Sequence, residues 1–401
     1  MSNLLQTLQG INWDFSDYNS SKYPLDINSI PWYPATFVPP IPKFLIALLS
    51  QPRDIVLDPF GGKGTTLVEA IKLGRFPIYS DLNPFAVEIT QGIVSAIKQR
   101  LHNPTCLDNE RKLVESHRVP LDMGESLVHE FSINSDVFKW YEKSTLNELL
   151  GIVSLMVKKR AKNKDTFLIR KLALSSILKP ASSQPGHFTY VTDNCKPADL
   201  IRKEAEKLYI DRVNQILHAT DDLIRQFKIT NPCEDLQTII EKVVVRAGDA
   251  RRLDWINNNS VNLVITSPPY LCAQDYIKTM RLTNLFFPTI DFEEKTKDEI
   301  GPRTKRRSKS GLIVEQFYAD MSLVFSEIER VLTTDGYFCF IFGQGKAKIA
   351  AAYDTINDLH NNIISKHSFT KVFQAERRIS NRSIQVGGVD KEVILIFQKT
   401  K

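Results

Sequence analysis

Three aspartates follow short apolar runs, and their placement could hold a nucleoside. Asp58, Asp81 and Asp249 each come after a run typical of a buried strand. At the tip of the second strand of a β-α-β unit, Asp81 would accept hydrogen bonds from both hydroxyls of a ribose. Asp58 would then lie near an amino acid moiety, and Asp249 near an adenine amine. A single such aspartate is more often a helix N-cap or a turn residue, but three at successive strand ends favour a nucleoside cofactor.

A glycine-rich loop follows the first of these strands and supports the same interpretation. Gly61, Gly62 and Gly64 let the chain turn tightly and pass close to a ligand. The loop has neither the G-x-G-x-x-G spacing of dinucleotide-binding loops nor the sequence of a P-loop. The cofactor contacts predicted in and beside it are Asp58, Pro59, Phe60, Gly61, Gly62, Gly64 and Thr65.

The Ser-Pro-Pro-Tyr sequence of residues 267–270 is suited to a different task, the activation of an amine. The amine of a nucleobase is a poor nucleophile because its lone pair is delocalised into the ring. Acceptors aimed at its hydrogens make it more nucleophilic and stabilise the positive charge that develops on it. Ser267 and the carbonyl of Pro268, which faces no competing N–H from Pro269, would be those acceptors. Tyr270 would offer a face on which an extruded base stacks, so all four residues are predicted to be catalytic.

The order of apolar runs and helical patterns predicts an α/β fold, a doubly wound Rossmann-like sheet with a largely helical insertion. Strand, glycine loop, helix and strand follow one another over residues 55–81, and further strands are expected near residues 243–246, 261–265, 336–342 and 393–397. The predicted domains are an N-terminal extension (1–36) that lies over the core, two halves of one α/β domain (37–100 and 241–401), and the helical insertion (101–240).

Composition and charge limit the class of protein. No stretch of the 401 residues approaches the ~18 consecutive apolar residues of a membrane span, and we see no signal peptide, so a cytoplasmic protein is expected. The five cysteines form no CxxC pair, so neither a disulfide framework nor a metal site is predicted. A net charge of +6 permits a polyanionic partner without requiring one.

A basic segment, residues 295–309, is the candidate for contact with a nucleic acid. Seven lysines and arginines stand there against two acidic residues. A solvated loop and a phosphate-binding loop are equally good interpretations of such a run. The residues predicted to bind nucleic acid are Arg303, Lys305, Arg306 and Arg307.

Residues 58–66 and 267–270 together resemble the hallmarks D-P-F-x-G-x-G-T and [DNS]-P-P-Y of amino-methylating DNA methyltransferases. The serine form of the second motif is more similar to the cytosine-N4 branch of that family than to the adenine-N6 branch. The resemblance implies S-adenosylmethionine as the cofactor and duplex DNA as the partner, and it adds Phe37 to the cofactor contacts. One departure is Lys63, where the family usually has a small residue.

The resemblance implies methylation of cytosine N4 at a short specific DNA sequence, in a restriction–modification system where a cognate endonuclease would be a second partner. Methylation of adenine N6 in DNA is the nearest alternative, because it uses the same acceptor geometry. A guanine-N2 tRNA methyltransferase would carry Asp-Pro-Pro-Tyr and an N-terminal RNA-binding module, and neither is evident. A DNA-recognising protein without catalysis would have lost Ser267 or Tyr270. Target recognition is expected in residues 101–240, in 280–315, or in both.

Overall fold

The structure is a computed structural model of the chain. It describes residues 2–16, 18, 26–30, 33, 38–159, 163–184, 196–271, 276–288, 297–301, 310–343, 354–378 and 391–400. Five residues with predicted roles lie outside the described residues: Phe37, Arg303, Lys305, Arg306 and Arg307.

Seven strands of the described residues form one mixed sheet. They are β1 (Ile55–Asp58), β2 (Phe76–Asp81), β3 (Val244–Ala247), β4 (Val261–Thr266), β5 (Leu332–Gly343), β6 (Phe369–Arg378) and β7 (Lys391–Lys399). Their order is β3-β2-β1-β4-β5-β7-β6, with β7 antiparallel to both neighbours and the other pairs parallel. The direction of winding reverses between β1 and β4, which opens a crevice at the carboxyl ends of the strands. The predicted doubly wound, Rossmann-like sheet is confirmed.

The helices of the described residues are α1 (Ser2–Gly10), α2 (Pro40–Leu49), α3 (Thr65–Lys72), α4 (Pro84–His102), α5 (Glu110–Glu115), α6 (Gly124–Glu130), α7 (Lys143–Lys159), α8 (Lys164–Ala181), α9 (Ala205–Thr230), α10 (Leu236–Glu241), α11 (Tyr276–Thr279), α12 (Arg281–Phe286), α13 (Ser310–Val331) and α14 (Thr355–Asn362). Short 3₁₀ turns occupy Ile27–Ser29, Ser135–Lys139 and Ile364–Lys366. None of these helices combines the length and the apolar character that a bilayer span requires.

Helices cover both faces of the sheet because its central strands are apolar on both sides. On one face, Leu8 and Trp13 pack with α2 and with Ile394 of β7. On the other, Phe338 and Phe340 of β5 pack with α13 and α14. The described part of the N-terminal segment contains α1, and Leu8 and Trp13 of this segment are buried in the core on the first of these faces.

The predicted insertion, residues 101–240, forms helices and turns and no strand within its described residues. In this layer α8 lies against α4 and α9. A buried ion pair joins Arg170 of α8 to Glu110 at 2.7 Å, and the hydroxyl of Tyr209 in α9 donates to the same carboxylate at 2.8 Å. Removal of one partner of such a pair would leave an uncompensated buried charge. This contact therefore holds α5, which contains Glu110, against α8 and α9. The layer joins the sheet through α4, which follows β2 directly.

Candidate active site

A cavity of about 840 Å³, counted with the solvent in its mouth, opens at the carboxyl ends of β1, β2 and β4. The reversal of winding between β1 and β4 accounts for its position. Predicted residues from both motifs form its wall: Pro59, Phe60, Gly61, Gly62, Thr65, Asp81, Asp249, Ser267 and Pro269. The glycine loop and the Ser-Pro-Pro-Tyr motif, far apart in the chain, therefore meet at one site.

The glycine loop lies close against β2 because Gly61 has no side chain. A Cβ atom added to Gly61 would lie 2.2 Å from two ring carbons of Tyr79, which is fully buried. The Tyr79 hydroxyl donates to the Gly62 carbonyl at 2.5 Å and holds the loop from below. Gly64 then precedes α3 with a φ of +86°, a left-handed conformation that favours glycine. The loop thus meets the cavity with its backbone as well as with side chains.

Asp81 presents its carboxylate to the cavity at the end of β2. Its Oδ1 accepts the N–H of Asn83 at 2.7 Å, and its Oδ2 accepts that of Gly62 at 2.8 Å. Burial raises the pKa of Asp81 to about 6, although these two hydrogen bonds oppose the shift. A carboxylate has about four acceptor sites, so about two remain for donors that enter from the cavity.

Asp58 lies behind the cavity wall rather than on it. Its side chain is 3% exposed and accepts the hydroxyls of Thr66 and Thr266 at 2.7 and 2.8 Å. Its Oδ1 also accepts the N–H of Phe60 at 3.2 Å. Burial raises the pKa of Asp58 to about 6. The carboxylate joins the glycine loop, α3 and β4, and its predicted contact with a cofactor stays a prediction.

Asp249 faces the cavity and shares its carboxylate with Arg251. The guanidinium reaches both carboxylate oxygens, at 3.0 and 2.6 Å, and also binds Asp320 of α13 at 2.9 Å. It further donates to the carbonyl of Asp298 at 3.1 Å. Two-pronged pairing of this kind fixes the plane of a carboxylate, so Arg251 sets the orientation that Asp249 shows to a ligand.

The hydroxyl of Thr65 is buried and has no hydrogen-bond partner among the described residues. Thr65 is 4% exposed, begins α3 and lines the cavity. An unsatisfied buried hydroxyl is unfavourable by about 1–3 kcal/mol, so a ligand group is the expected partner. The positive end of the α3 dipole lies at the same place and favours an anionic group.

The four predicted catalytic residues differ in their relation to the cavity. Ser267 and Pro269 line it, whereas Pro268 and Tyr270 lie outside its wall, as Gly64 does in the glycine loop. The Ser-Pro-Pro-Tyr motif follows β4 directly, and the apolar residues of β4 are buried on both faces of the sheet. The motif is therefore held at a rigid strand end, where Ser267 forms part of the cavity wall.

The side chain of Tyr270 is buried and packs against other side chains of the protein. It is 8% exposed and lies edge-on to Phe342, with ring centroids 5.0 Å apart. Its hydroxyl donates to Glu392 at 2.8 Å and lies 3.3 Å from Ser267 Oγ. Burial and the neighbouring Glu392 carboxylate raise the pKa of Tyr270 well above its ordinary value. The stacking of a base on its ring stays a prediction.

The cavity wall contains further side chains to which the sequence assigned no role at the site. Among them, the Tyr33 hydroxyl accepts the side-chain amide of Asn83 at 3.1 Å, and Glu299 accepts the N–H of Ile277 at 2.7 Å. The place of Asn83, two residues after Asp81, was the one available signal. Tyr33 and Glu299 come from segments without a motif. Within the described residues, no group of three or more His, Cys, Asp or Glu could hold a metal ion.

Comparison with known proteins identifies a family and individual proteins to which this chain is similar. A family model described as DNA methylase, covering N6 and N4 methyltransferases, matches residues 6–92 and 261–401, more than half of the chain. The Type II methyltransferase M.MjaII of Methanocaldococcus jannaschii is 22% identical over an alignment that covers 93% of this chain and 81% of the relative. The Type II methyltransferase M.BsoBI of Geobacillus stearothermophilus is 25% identical over 70% of this chain, which spans 57% of that relative.

A solved S-adenosylmethionine-dependent methyltransferase from Methanosarcina mazei aligns with 89% of this chain and 97% of its own, at 10% identity and a TM-score of 0.32. At that TM-score the alignment supports no further argument, and the fold assignment rests on the strand order. The family match contains both motifs, and it confirms the predicted resemblance and the predicted cofactor, S-adenosylmethionine.

Proposed function

The chain belongs to the N6/N4 DNA methylase family and is an S-adenosylmethionine-dependent DNA methyltransferase, and from this premise we propose that it methylates the N4 amine of cytosine in duplex DNA. The observation that carries the proposal is the single cavity lined by both Asp81 and Ser267. A methyl donor bound through Asp81 would be presented to an amine bound through Ser267. Such proximity is what a direct transfer requires.

The cavity wall suits each part of the cofactor. The ribose hydroxyls can donate to the free acceptor sites of Asp81, and the adenine amine can donate to Asp249, which Arg251 holds in place. The unpaired hydroxyl of Thr65, at the N-terminus of α3, suits the carboxylate of the methionine end. The cofactor, when bound, supplies an electrophilic methyl group on a sulfonium.

Ser267 would act on the target amine as a hydrogen-bond acceptor. Its Oγ accepts one N–H of the amine, which draws the nitrogen lone pair out of conjugation with the ring. The same acceptor stabilises the positive charge that develops on nitrogen during transfer. The Pro268 carbonyl would accept the second N–H, since Pro269 has no N–H to compete for it. Transfer would then be direct, with no covalent bond between protein and base: the nitrogen–methyl bond forms as the sulfur–methyl bond breaks, the thioether S-adenosylhomocysteine leaves, and the methylated nitrogen loses one proton to solvent.

We propose cytosine rather than adenine as the target base because the motif has a serine at position 267. Both bases present an exocyclic NH₂ to the same acceptors, so the geometry of the cavity serves either. The serine form of the motif resembles the cytosine-N4 branch, and that resemblance supports the assignment of the base. Adenine-N6 methylation is the alternative outcome of the test below.

We further propose that the protein binds duplex DNA at a short specific sequence. It would act in the cytoplasm, in a restriction–modification system with a cognate endonuclease. Two relatives are named Type II methyltransferases, which supports that context. Extrusion of the target base costs a few kcal/mol, and contacts with the phosphate backbone would offset it. The basic segment 295–309 and the helical insertion are the proposed sources of those contacts.

The proposal is tested by identifying the nucleoside that the protein methylates. Purified protein is incubated with methyl-labelled S-adenosylmethionine and either unmethylated phage λ DNA or bulk tRNA, and the digested nucleosides are separated by mass spectrometry. We expect N4-methylcytosine in the DNA. N6-methyladenine would reverse the base assignment, and label confined to tRNA would overturn the substrate. Ser267→Ala is the control variant, expected to bind the cofactor normally and to transfer about 10²-fold more slowly.

A further inference from the structure

A row of hydrogen-bonded side chains lies behind the cavity wall and ends at Ser267. Ser267 Oγ lies 3.3 Å from the Tyr270 hydroxyl, and that hydroxyl lies 2.8 Å from Glu392 Oε1. Glu392 Oε2 in turn accepts from Arg377 at 2.6 Å. Tyr270, Glu392 and Arg377 are 8%, 8% and 5% exposed, so water does not compete for these contacts.

The reversed strand β7 makes this row possible. The parallel strands β1, β2 and β4 end at the cavity, and β7, which is antiparallel, begins at that edge of the sheet. Glu392 is its second residue and lies in register between Gly343 of β5 and Arg377 of β6. A carboxylate is thereby delivered beneath the Ser-Pro-Pro-Tyr motif from the far end of the chain.

The ion pair with Arg377 fixes the direction of every hydrogen bond in the row. A carboxylate paired with a guanidinium accepts and does not donate, so Tyr270 gives its only hydroxyl proton to Glu392. The raised pKa of Tyr270 means that the phenol keeps this proton at ordinary pH. The contact between Ser267 and Tyr270 can then form in one way only, with the serine hydroxyl as the donor.

This direction decides what Ser267 offers to the cavity. Because its proton points at Tyr270, both lone pairs of Ser267 Oγ are left to accept from an amine. If the row ran the other way, Tyr270 would donate to Ser267 and occupy one lone pair. The serine proton would then turn toward the cavity, where it would meet the hydrogens of the amine.

We infer that Glu392 is a positioning residue, which sets the proton direction of the Tyr270–Ser267 pair so that Ser267 meets the target amine as an acceptor. The inference rests on the proposed methylation of an exocyclic amine, and it holds for cytosine and adenine alike. Glu392 touches neither the cofactor nor the base in this arrangement, and it acts only through Tyr270.

Glu392→Gln reverses the row with little change in shape. The amide oxygen of glutamine would face Arg377, which leaves the amide NH₂ to donate to the Tyr270 oxygen. Tyr270 must then donate to Ser267. With enzyme in excess over phage λ DNA and saturating labelled S-adenosylmethionine, we expect the single-turnover rate constant to fall about 10-fold or more. The cofactor dissociation constant should stay within twofold of the wild-type value, about the error of such titrations.

Tyr270→Phe separates this role from a purely structural one, because it keeps the aromatic ring and breaks the row. In the Tyr270→Phe background, Glu392→Gln should change the rate by less than about twofold, as expected when two residues act through one path. Equal losses in both backgrounds would overturn the inference, and so would a Glu392→Gln protein with the wild-type rate.

Should Glu392→Gln fail to fold in a thermal unfolding scan, Tyr270→Phe alone decides. The serine hydroxyl is then no longer held, and we expect a slower transfer with unchanged cofactor binding; a wild-type rate would contradict the inference. A wild-type protein that labels no DNA would refute the proposed function instead, since only ratios of variant to wild type bear on Glu392.

Discussion

Replacement of Asp81 by asparagine should separate cofactor binding from stability. At neutral pH the ionised carboxylate opposes folding, since a pKa of about 6 in the folded chain against about 3.9 in the unfolded one corresponds to about 3 kcal/mol. Asparagine removes that penalty but can accept only one of the two N–H groups, which costs about 1–3 kcal/mol. The free energy of unfolding should therefore change by less than about 2 kcal/mol.

The same substitution should strongly weaken binding of the cofactor. Two hydroxyl donors lose a charged acceptor, each hydrogen bond contributing about 1.5–3 kcal/mol, so the dissociation constant should rise at least about 100-fold. Calorimetric titration with S-adenosylhomocysteine measures this, and urea unfolding followed by circular dichroism measures stability. An Asp81→Asn protein that binds within tenfold of wild type would refute the assignment of this carboxylate to the ribose.

Asp58→Asn is the matched control, because burial also raises the pKa of this carboxyl to about 6, although Asp58 lies behind the cavity wall. The hydroxyls of Thr66 and Thr266 can rotate to accept from an amide, so the loop should keep its place. We expect cofactor affinity to fall by less than about fivefold, or about 1 kcal/mol. A loss as large as that of Asp81→Asn would instead support the contact with the cofactor that the sequence predicts for Asp58.

The remaining predictions concern pH, the loop and the binding of DNA. Since the folded pKa of Asp81 is raised, its burial destabilises the protein progressively as pH rises from about 4 through 6. Cofactor affinity should rise over pH 5 to 7.5 as the carboxylate ionises, and calorimetry on Asp81→Asn should find that rise absent; a rise that persists would assign it to another group. Gly61→Ala should lower the free energy of unfolding by about 1–3 kcal/mol because of the Tyr79 ring, whereas Gly10→Ala, with nothing within 4 Å, should change it by less than about 0.5. Equal effects at the two glycines would contradict the packing described here. Charge reversal at Arg303, Arg306 and Arg307 of the basic segment should weaken the salt dependence of DNA binding. The slope of log K against log salt concentration should become shallower by about 0.9 for each phosphate that is no longer neutralised. An unchanged slope would place the phosphate-binding surface elsewhere.

The central strands could be predicted from sequence because burial on both faces leaves a continuous apolar run. β1 begins with its apolar run and ends one residue beyond it, at Asp58, and β4 extends the predicted strand by one residue, Thr266. The edge strand β6 was not predicted. Its sequence, FTKVFQAERR, mixes charged and apolar residues because much of it meets solvent, so neither a continuous run nor a clean alternation marks it.

Some features of the candidate site could likewise be predicted from sequence, and others could not. Asp81, Asp249 and Ser267 could be placed together from sequence because each lies at or just after the end of a strand, and parallel strands end at one edge. The hydrogen bonds of Asp58 to two threonine hydroxyls could not be predicted, because one of them comes from Thr266, which lies 208 residues later in the chain on the neighbouring strand β4. The Glu392–Arg377 pair is invisible for the same reason, since it needs the register of β6 on β7.

A crystal structure with bound S-adenosylhomocysteine would test most directly whether cofactor and target amine meet at this cavity. We expect both ribose hydroxyls within about 3.2 Å of the Asp81 carboxylate and the sulfur turned toward Ser267, with an open path between them. A ribose bound away from Asp81, or a sulfur separated from Ser267 by protein, would contradict the shared site and the transfer derived from it.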